Sequence, residues 1–180
     1  MKIQNPKIKI QAGEIVIRPA KKADLPAVVK MSHGVSEIEN YPGQRMKVED
    51  LVHFVGGDGA LMLVAESKSR RSRDAGEVVG YITVYQSENY FYLPYAVTKK
   101  SWQRRGVGSA LLERIEALAK EANVEYILMS VYVYNSSVHT FLKARGYIPS
   151  KRLIQYSKVI AGKRSRRPHD KCRLAASRTP

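Results

Sequence analysis

The sequence predicts an α/β (α+β) domain, a mixed central sheet with helices on both faces. Three observations carry that prediction. Short β-rich runs bounded by Gly, Pro or Asn recur at Ile15–Pro19, Ala60–Glu66, Glu77–Tyr85, Tyr90–Val97 and Tyr126–Tyr134. Val107, Leu111, Ile115, Leu118 and Ala122 recur at spacings of 4, 4, 3 and 4, which draws one apolar stripe along a helix. The elements alternate in the order β-α-α-β-β-β-α-β-α-β, with no internal repeat, and a sheet layered with helices is the arrangement that buries such faces.

Each element has a local reason. Ile15-Val16-Ile17-Arg18-Pro19 is a strand ended by proline, after a polar leader over residues 1–13. Asp24 offers an N-cap, with Pro26 in the first turn, for a helix carrying Leu25, Val28, Val29 and Met31. Ser32 to Lys47 is irregular, and Val48 to Val55 is a short second helix stopped by Gly56-Gly57. Ala60–Glu66 and Glu77–Tyr85 form a hairpin whose tip carries Lys68, Arg70, Arg71 and Arg73. Tyr90–Val97 is the next strand, and Pro94 within it, unable to donate to a ladder, predicts a bulge or an unpaired stretch. After the helix from Val107 to Ala122, Tyr126–Tyr134 reads as a buried strand. Asn135 or Ser136 caps a further helix, Gly146 ends it after Lys143 and Arg145, and Arg152–Ile160 is a final strand.

The whole chain sets bounds. A length of 180 residues suits one domain with a core that needs neither disulfide nor metal, here 14–160. The lone Cys172 excludes an intrachain disulfide and fits a reducing compartment. No apolar run approaches the ~18 residues of a membrane span, so no membrane partner is expected and the location reads as cytoplasmic. The net charge of +15 is unevenly placed, and about +7 of it sits in the last 23 residues, where Lys158, Lys163, Arg164, Arg166, Arg167, Lys171, Arg173 and Arg178 face only Asp170. Residues 161–180 therefore read as a solvated, disordered tail, with nucleic acid as a second reading. The sequence leaves a homodimer open.

Between the aromatic strand and the long helix stands Gln103-Arg104-Arg105-Gly106-Val107-Gly108. Two glycines permit a sharp turn and close approach of a ligand, and the first amides of a helix have no intrahelical acceptor. Those amides, the positive helix end and two arginines describe a pyrophosphate cradle. It is neither a dinucleotide fingerprint, whose third glycine is Leu111 here, nor a P-loop, whose Gly-Lys-Ser/Thr is absent.

Gln103-x-x-Gly106-x-Gly108 resembles the acetyl-CoA signature of the GNAT superfamily of N-acetyltransferases, Gln/Arg-x-x-Gly-x-Gly/Ala. Tyr95-Ala96-Val97 before it, and Asn135-Ser-Ser-Val138-x-x-Phe141-Leu142-x-x-x-Gly146-Tyr147 after it, are similar to the family's neighbouring blocks, and the likeness runs from Ile15 to Ile160. The resemblance implies a mostly antiparallel sheet and a strand that splays to admit the pantetheine arm of acetyl-CoA. It also implies cofactor contacts from Tyr95, Ala96, Val97, Gln103, Arg104, Arg105, Gly106, Val107, Gly108, Ser109 and Asn135. A helix cap is the alternative reading of Asn135.

The catalytic positions depart from the family pattern. Many members place a Tyr beside the sulfur where this chain has Leu142, and positions where some carry a carboxylate look like Phe91 and Ser130. The candidates that remain are Glu88 ahead of the strand, Glu39 in the loop between the first helices, and Tyr134. Glu39-Asn40-Tyr41 resembles the Glu-Asn-Tyr of protein N-terminal acetyltransferases. The expectation is acetyl transfer from acetyl-CoA to a primary amine, leaning to a low-pKa amine such as a peptide or protein N-terminus. The alternatives are a small-molecule amine acetyltransferase and a degenerate acyl-CoA-binding sensor or scaffold.

Overall fold

The computed structural model describes residues 7–10, 13–35, 37–38, 45–68 and 76–150. The described residues through Ser130 form one compact unit, and those from Val131 a second. No helix among them is long and apolar enough to cross a membrane.

The first unit is built on a seven-stranded sheet of β1 (Lys7–Ile10), β2 (Gly13–Pro19), β3 (Ala60–Ser67), β4 (Val78–Gln86), β5 (Tyr90–Tyr92), β6 (Ala96–Thr98) and β7 (Tyr126–Leu128). The spatial order is β1-β2-β3-β4-β5-β7, with β6 also on β4, and every pairing is antiparallel except β5 with β7. Helix α1 (Leu25–Ser32) and helix α2 (Val107–Glu121) cover opposite faces, as two successive residues of β4 show. Tyr81 is fully buried and bonds Ser32 at the end of α1. A Cβ on Gly80 would stand 2.8 Å from Val107 Cγ1 and 3.3 Å from Leu111 Cδ1, so α2 packs directly on glycine backbone. The α2 stripe is core from Val107 through Leu111 and Ile115 to Leu118, all buried, whereas Ala122, its expected last member, is the exposed residue that follows the helix.

Four expectations are corrected. The leader is partly ordered, because Lys7–Ile10 pairs with Gly13–Val16 as β1. Val48–Val55 is a chain of i to i+3 turns around one 3₁₀ turn, Val52–Phe54. Its Leu51 and Phe54 are buried as a helical stripe would have them, but Gly56-Gly57 stops the segment before an α-helix can propagate. Asp24 precedes α1 without capping it, because its carboxylate accepts from Lys21 N–H at 2.7 Å and from Arg18 at 2.7 and 2.9 Å. Tyr126–Tyr134 is strand only to Leu128, and Tyr126 and Leu128 are exposed, so the run is not a buried strand. The basic tip over 69–73, the strand Arg152–Ile160 and the tail lie outside the described residues.

In the second unit, α3 (Ser136–Lys143) begins where Asn135 Oδ1 accepts from Val138 N–H at 3.3 Å, and Gly146 turns the chain after it at φ +81°.

Candidate active site

The loop between β6 and α2 is tied to the strand at its start. A 3₁₀ turn, Lys100–Trp102, is anchored by the buried Trp102, and Gln103 Nε2 donates to the carbonyl of Thr98 at 3.2 Å. Arg104 and Gly106 then take left-handed backbone, φ 60° and 95°, and α2 begins. Left-handed residues alternating with right-handed ones turn successive N–H groups toward one side, an arrangement that binds anions. No side chain caps α2, and its first backbone bond runs from Ala110 N–H to the Gly106 carbonyl at 3.0 Å. The amides of Val107, Gly108 and Ser109 precede that bond and point out of the helix start. Lys9, Ile10, Arg104, Arg105 and Gly106 line an open recess of about 440 Å³ beside them.

The two glycines differ in role. At Gly106 a side chain would be strained by φ +95° and would meet Ile10 Cγ2 at 3.3 Å. At Gly108 a Cβ would meet only Thr98 Oγ1, at 3.7 Å, an ordinary contact. The protein's own packing demands Gly106, whereas Gly108 leaves space next to the end of β6.

The expected single strand Tyr90–Val97 is broken in two. Tyr85 pairs with Tyr92 and Ile82 with Ala96, so three steps along β4 oppose four on the other chain, which makes one bulge residue near Pro94. Beyond it, Thr83 N–H donates to the Tyr95 carbonyl and Lys99 N–H to the Val79 carbonyl, both at 2.9 Å. Antiparallel alternation therefore turns the main-chain groups of Tyr95 and Val97 to β4 and those of Ala96 and Thr98 away from it. On that outer side β7 has ended: Leu93 N–H donates to the Leu128 carbonyl at 2.9 Å, and β6 pairs only with β4. The outward backbone of Ala96 and Thr98 runs straight into the loop and the start of α2.

Tyr95 is held by its backbone, whose N–H donates to Thr83 Oγ1 at 3.1 Å, and its side chain packs half-buried on the α1 face. Burial there pushes its phenol above the ordinary value, and Tyr85, Asp50 and Tyr92 nearby add to the shift. His53 Nε2 and Tyr85 Oη lie 2.9 Å apart, with the two rings nearly parallel above Phe54.

The proposed catalytic side chains are dispersed. Glu88 sits in the β4–β5 turn and lines a recess with Leu118 and Ala122, at the C-terminal end of α2. Fifteen helical residues, roughly 20 Å at 1.5 Å per residue, separate that end from the loop, so the structure does not bring Glu88 to the cradle. Glu39 lies outside the described residues. Tyr134 is exposed and stacks on Tyr132 at 5.2 Å between centroids, within the second unit. Phe91 is buried beside β7, and Ser130 accepts from Tyr92 Oη at 3.3 Å. Leu142 is the buried side chain of α3. Lys9 and Ile10 were not among the candidates; the alternation Lys-Ile-Lys-Ile is the strand signal that marks them.

The sequence profile of the Acetyltransferase (GNAT) family matches residues 36–147. No curated protein sequence matches the chain at a significant level. Among solved structures, a tetramutant of BH1408 from Bacillus halodurans superposes with a TM-score of 0.66 at 17% identity, over 79% of this chain and 99% of its own. AAC(6')-Iy in complex with the bisubstrate analogue CoA-S-monomethyl-acetylneamine gives 0.64 at 16% identity, over 81% and 98%. The aminoglycoside acetyltransferase meta-AAC0020 from an uncultured soil metagenomic sample gives 0.62 at 16%, over 82% and 97%. At such identities the superpositions speak to fold, and the profile, which spans most of the chain, speaks to family. The chain belongs to the GNAT acetyltransferase family and is an acyltransferase that uses acetyl-CoA.

Proposed function

We propose that this protein transfers the acetyl group of acetyl-CoA to a primary amine, with the pyrophosphate held at the start of α2 and the pantetheine arm laid along the outward edge of Ala96–Thr98. One observation carries the reading: the uncapped helix end, flanked by Arg104 and Arg105, is continuous with a strand edge that β7 has left. Amides of Gly106 to Ser109 and the two guanidinium groups match the charge of a pyrophosphate. The outward turn of Ala96 supports its N–H as the donor that polarises the thioester carbonyl, while Tyr95 and Val97 hold the strand to β4. The amine nitrogen forms the new C–N bond, the C–S bond breaks, and the amine gives up a proton as the thiol departs. Within the second unit Asn135 caps α3.

The acceptor follows from proton arithmetic and charge. An amine of pKa ~10.4 is neutral about once in 2,500 molecules at pH 7, a deficit of roughly 4.6 kcal/mol, whereas an α-amine near ~7.8 lacks only about 1 kcal/mol. A chain of net charge +15 repels polyamines and attracts a peptide N-terminus followed by acidic residues. Glu39 is assigned to hold that ammonium group.

The test measures thiol release from acetyl-CoA with α-amino peptides, Nε-lysine peptides, arylamines, aminoglycosides and spermidine, alongside calorimetry of Arg104→Ala/Arg105→Ala. Turnover is expected to be fastest with an α-amine, and the double variant should bind acetyl-CoA at least tenfold more weakly. Faster acetylation of spermidine or lysine side chains overturns the acceptor assignment, and wild-type affinity in the double variant overturns the cradle. A Glu39→Ala enzyme with unchanged KM removes that residue.

A further inference from the structure

The acceptor side of this site needs a proton acceptor, because the amine loses a proton as it is acylated. Glu88 lies at the wrong end of α2, and Phe91 and Ser130 offer no useful base. The broken strand does, however, carry a ring of phenols on one face. Along β4, Tyr81, Thr83 and Tyr85 point to the α1 face; Tyr92 pairs directly with Tyr85, and Tyr95 packs on that same face. Tyr92 and Tyr95 flank the bulge, and the outward amide of Ala96 follows one residue later. Tyr85, 41% exposed, is open to an incoming molecule there.

The three described histidines differ in what their Nε2 atoms meet. His33 Nε2 faces the Met46 carbonyl at 3.1 Å and His139 Nε2 the Tyr132 carbonyl at 3.0 Å, and a carbonyl can only accept, so both ring nitrogens are donors. His53 Nε2 faces the hydroxyl of Tyr85, which can donate. In the tautomer with its proton on Nδ1, His53 is a base already bonded to a phenol, and its ring is fixed by stacking on Tyr85 and by Phe54 at 4.1 Å.

Resting on the acetyltransferase reading above, we propose that Tyr85 and His53 form a proton relay for the acceptor amine, docked among Tyr85, Tyr92 and Tyr95. The ammonium N–H proton passes to Tyr85 Oη while the Tyr85 hydroxyl proton passes to His53 Nε2, which leaves a neutral amine, an intact phenol and an imidazolium. His53 is exposed and returns the proton to water. The aromatic faces hold the ammonium form on arrival through cation–π attraction.

The experiment compares wild type, Tyr85→Phe, His53→Gln and His53→Ala by kcat with the best amine, by acetyl-CoA affinity, and by the response of His53→Ala to added imidazole. Both His53 variants and Tyr85→Phe should lose about 10²-fold in kcat with acetyl-CoA affinity unchanged. Imidazole should restore turnover in His53→Ala and not in Tyr85→Phe. A Tyr85→Phe enzyme within twofold of wild type overturns the relay, as does a slow His53→Ala enzyme that imidazole leaves slow. Tyr85→Phe and His53→Gln keep ring or length, and so keep the test open if His53→Ala does not fold. Wild-type turnover with unaffected variants sinks the relay alone, whereas no thiol release from any amine by wild type sinks the acetyltransferase reading beneath it.

Discussion

Gln103 Nε2 donates to the backbone carbonyl of Thr98 across 3.2 Å, and this bond ties the loop before α2 to the last residue of β6. The Thr98 carbonyl points away from β4, so Gln103 takes up an acceptor on the outward edge of the strand. Gln103 thus braces the turn into α2 from inside the chain.

Gln103→Ala should therefore weaken acetyl-CoA binding about three- to tenfold, the worth of one net hydrogen bond, and shift thermal unfolding little. Calorimetry and a melting curve on the same sample check both; a variant with unchanged affinity and lowered Tm would make the bond purely structural.

Arg104 holds φ 60°, a conformation that costs a side-chain-bearing residue about 1–2 kcal/mol. Arg104→Gly should leave stability unchanged or slightly higher while reducing acetyl-CoA affinity, since strain is relieved and a cation removed. Gly106→Val should lower both stability and affinity, given φ +95° and the Ile10 contact. A destabilised Gly106→Val beside an Arg104→Gly that is no less stable than wild type is the outcome to look for in chemical denaturation.

Ser32 Oγ donates to the Val28 carbonyl at 2.9 Å, so across the 2.6 Å contact Tyr81 is the donor and Ser32 the acceptor. Burial pushes the Tyr81 phenol up to about 12. Ser32→Ala strands that phenol in the core and should cost about 1–3 kcal/mol, more than Tyr81→Phe, which removes the stranded group itself. Urea midpoints in the reverse order would refute the donor assignment.

Burial raises the carboxyl groups of Asp24 and Glu66, but hydrogen bonds and charges outweigh it. Arg18 and Lys21 N–H act on Asp24, and Lys68 and Arg18 on Glu66, and both groups sit below their ordinary values of 3.8 and 4.5. A lowered native value means the unfolded chain takes up the proton first. The network's contribution is thus whole above those ordinary values and is lost as pH falls through the lowered ones. Stability should stay level from pH 7 to about 5 and fall below about 4. Asp24→Asn should cost about 1–3 kcal/mol at pH 7 and flatten the acid limb, as seen in denaturation at a series of pH values.

Signals confined to one element were legible in the sequence. The stripe from Val107 to Leu118, the glycine at 106 and the cap at Asn135 depend on residues within one turn of each other, and each stands where the chain's own spacing puts it. The bulge was half legible, because Pro94 shows that a ladder bond is missing but not which way the chain steps. What only the tertiary structure decided is non-local. Whether Tyr126–Tyr134 stays a strand depends on a partner, and β5 supplies one only as far as Tyr92 and Leu93. Which amides of β6 face outward depends on the one-residue register shift against β4, and that shift turned the edge from Tyr95 and Val97 to Ala96 and Thr98. Lys9 and Ile10 reach the recess, and His53 reaches Tyr85, across more than thirty residues of chain, because strand pairing and face packing join positions whose sequence neighbours carry no trace of one another.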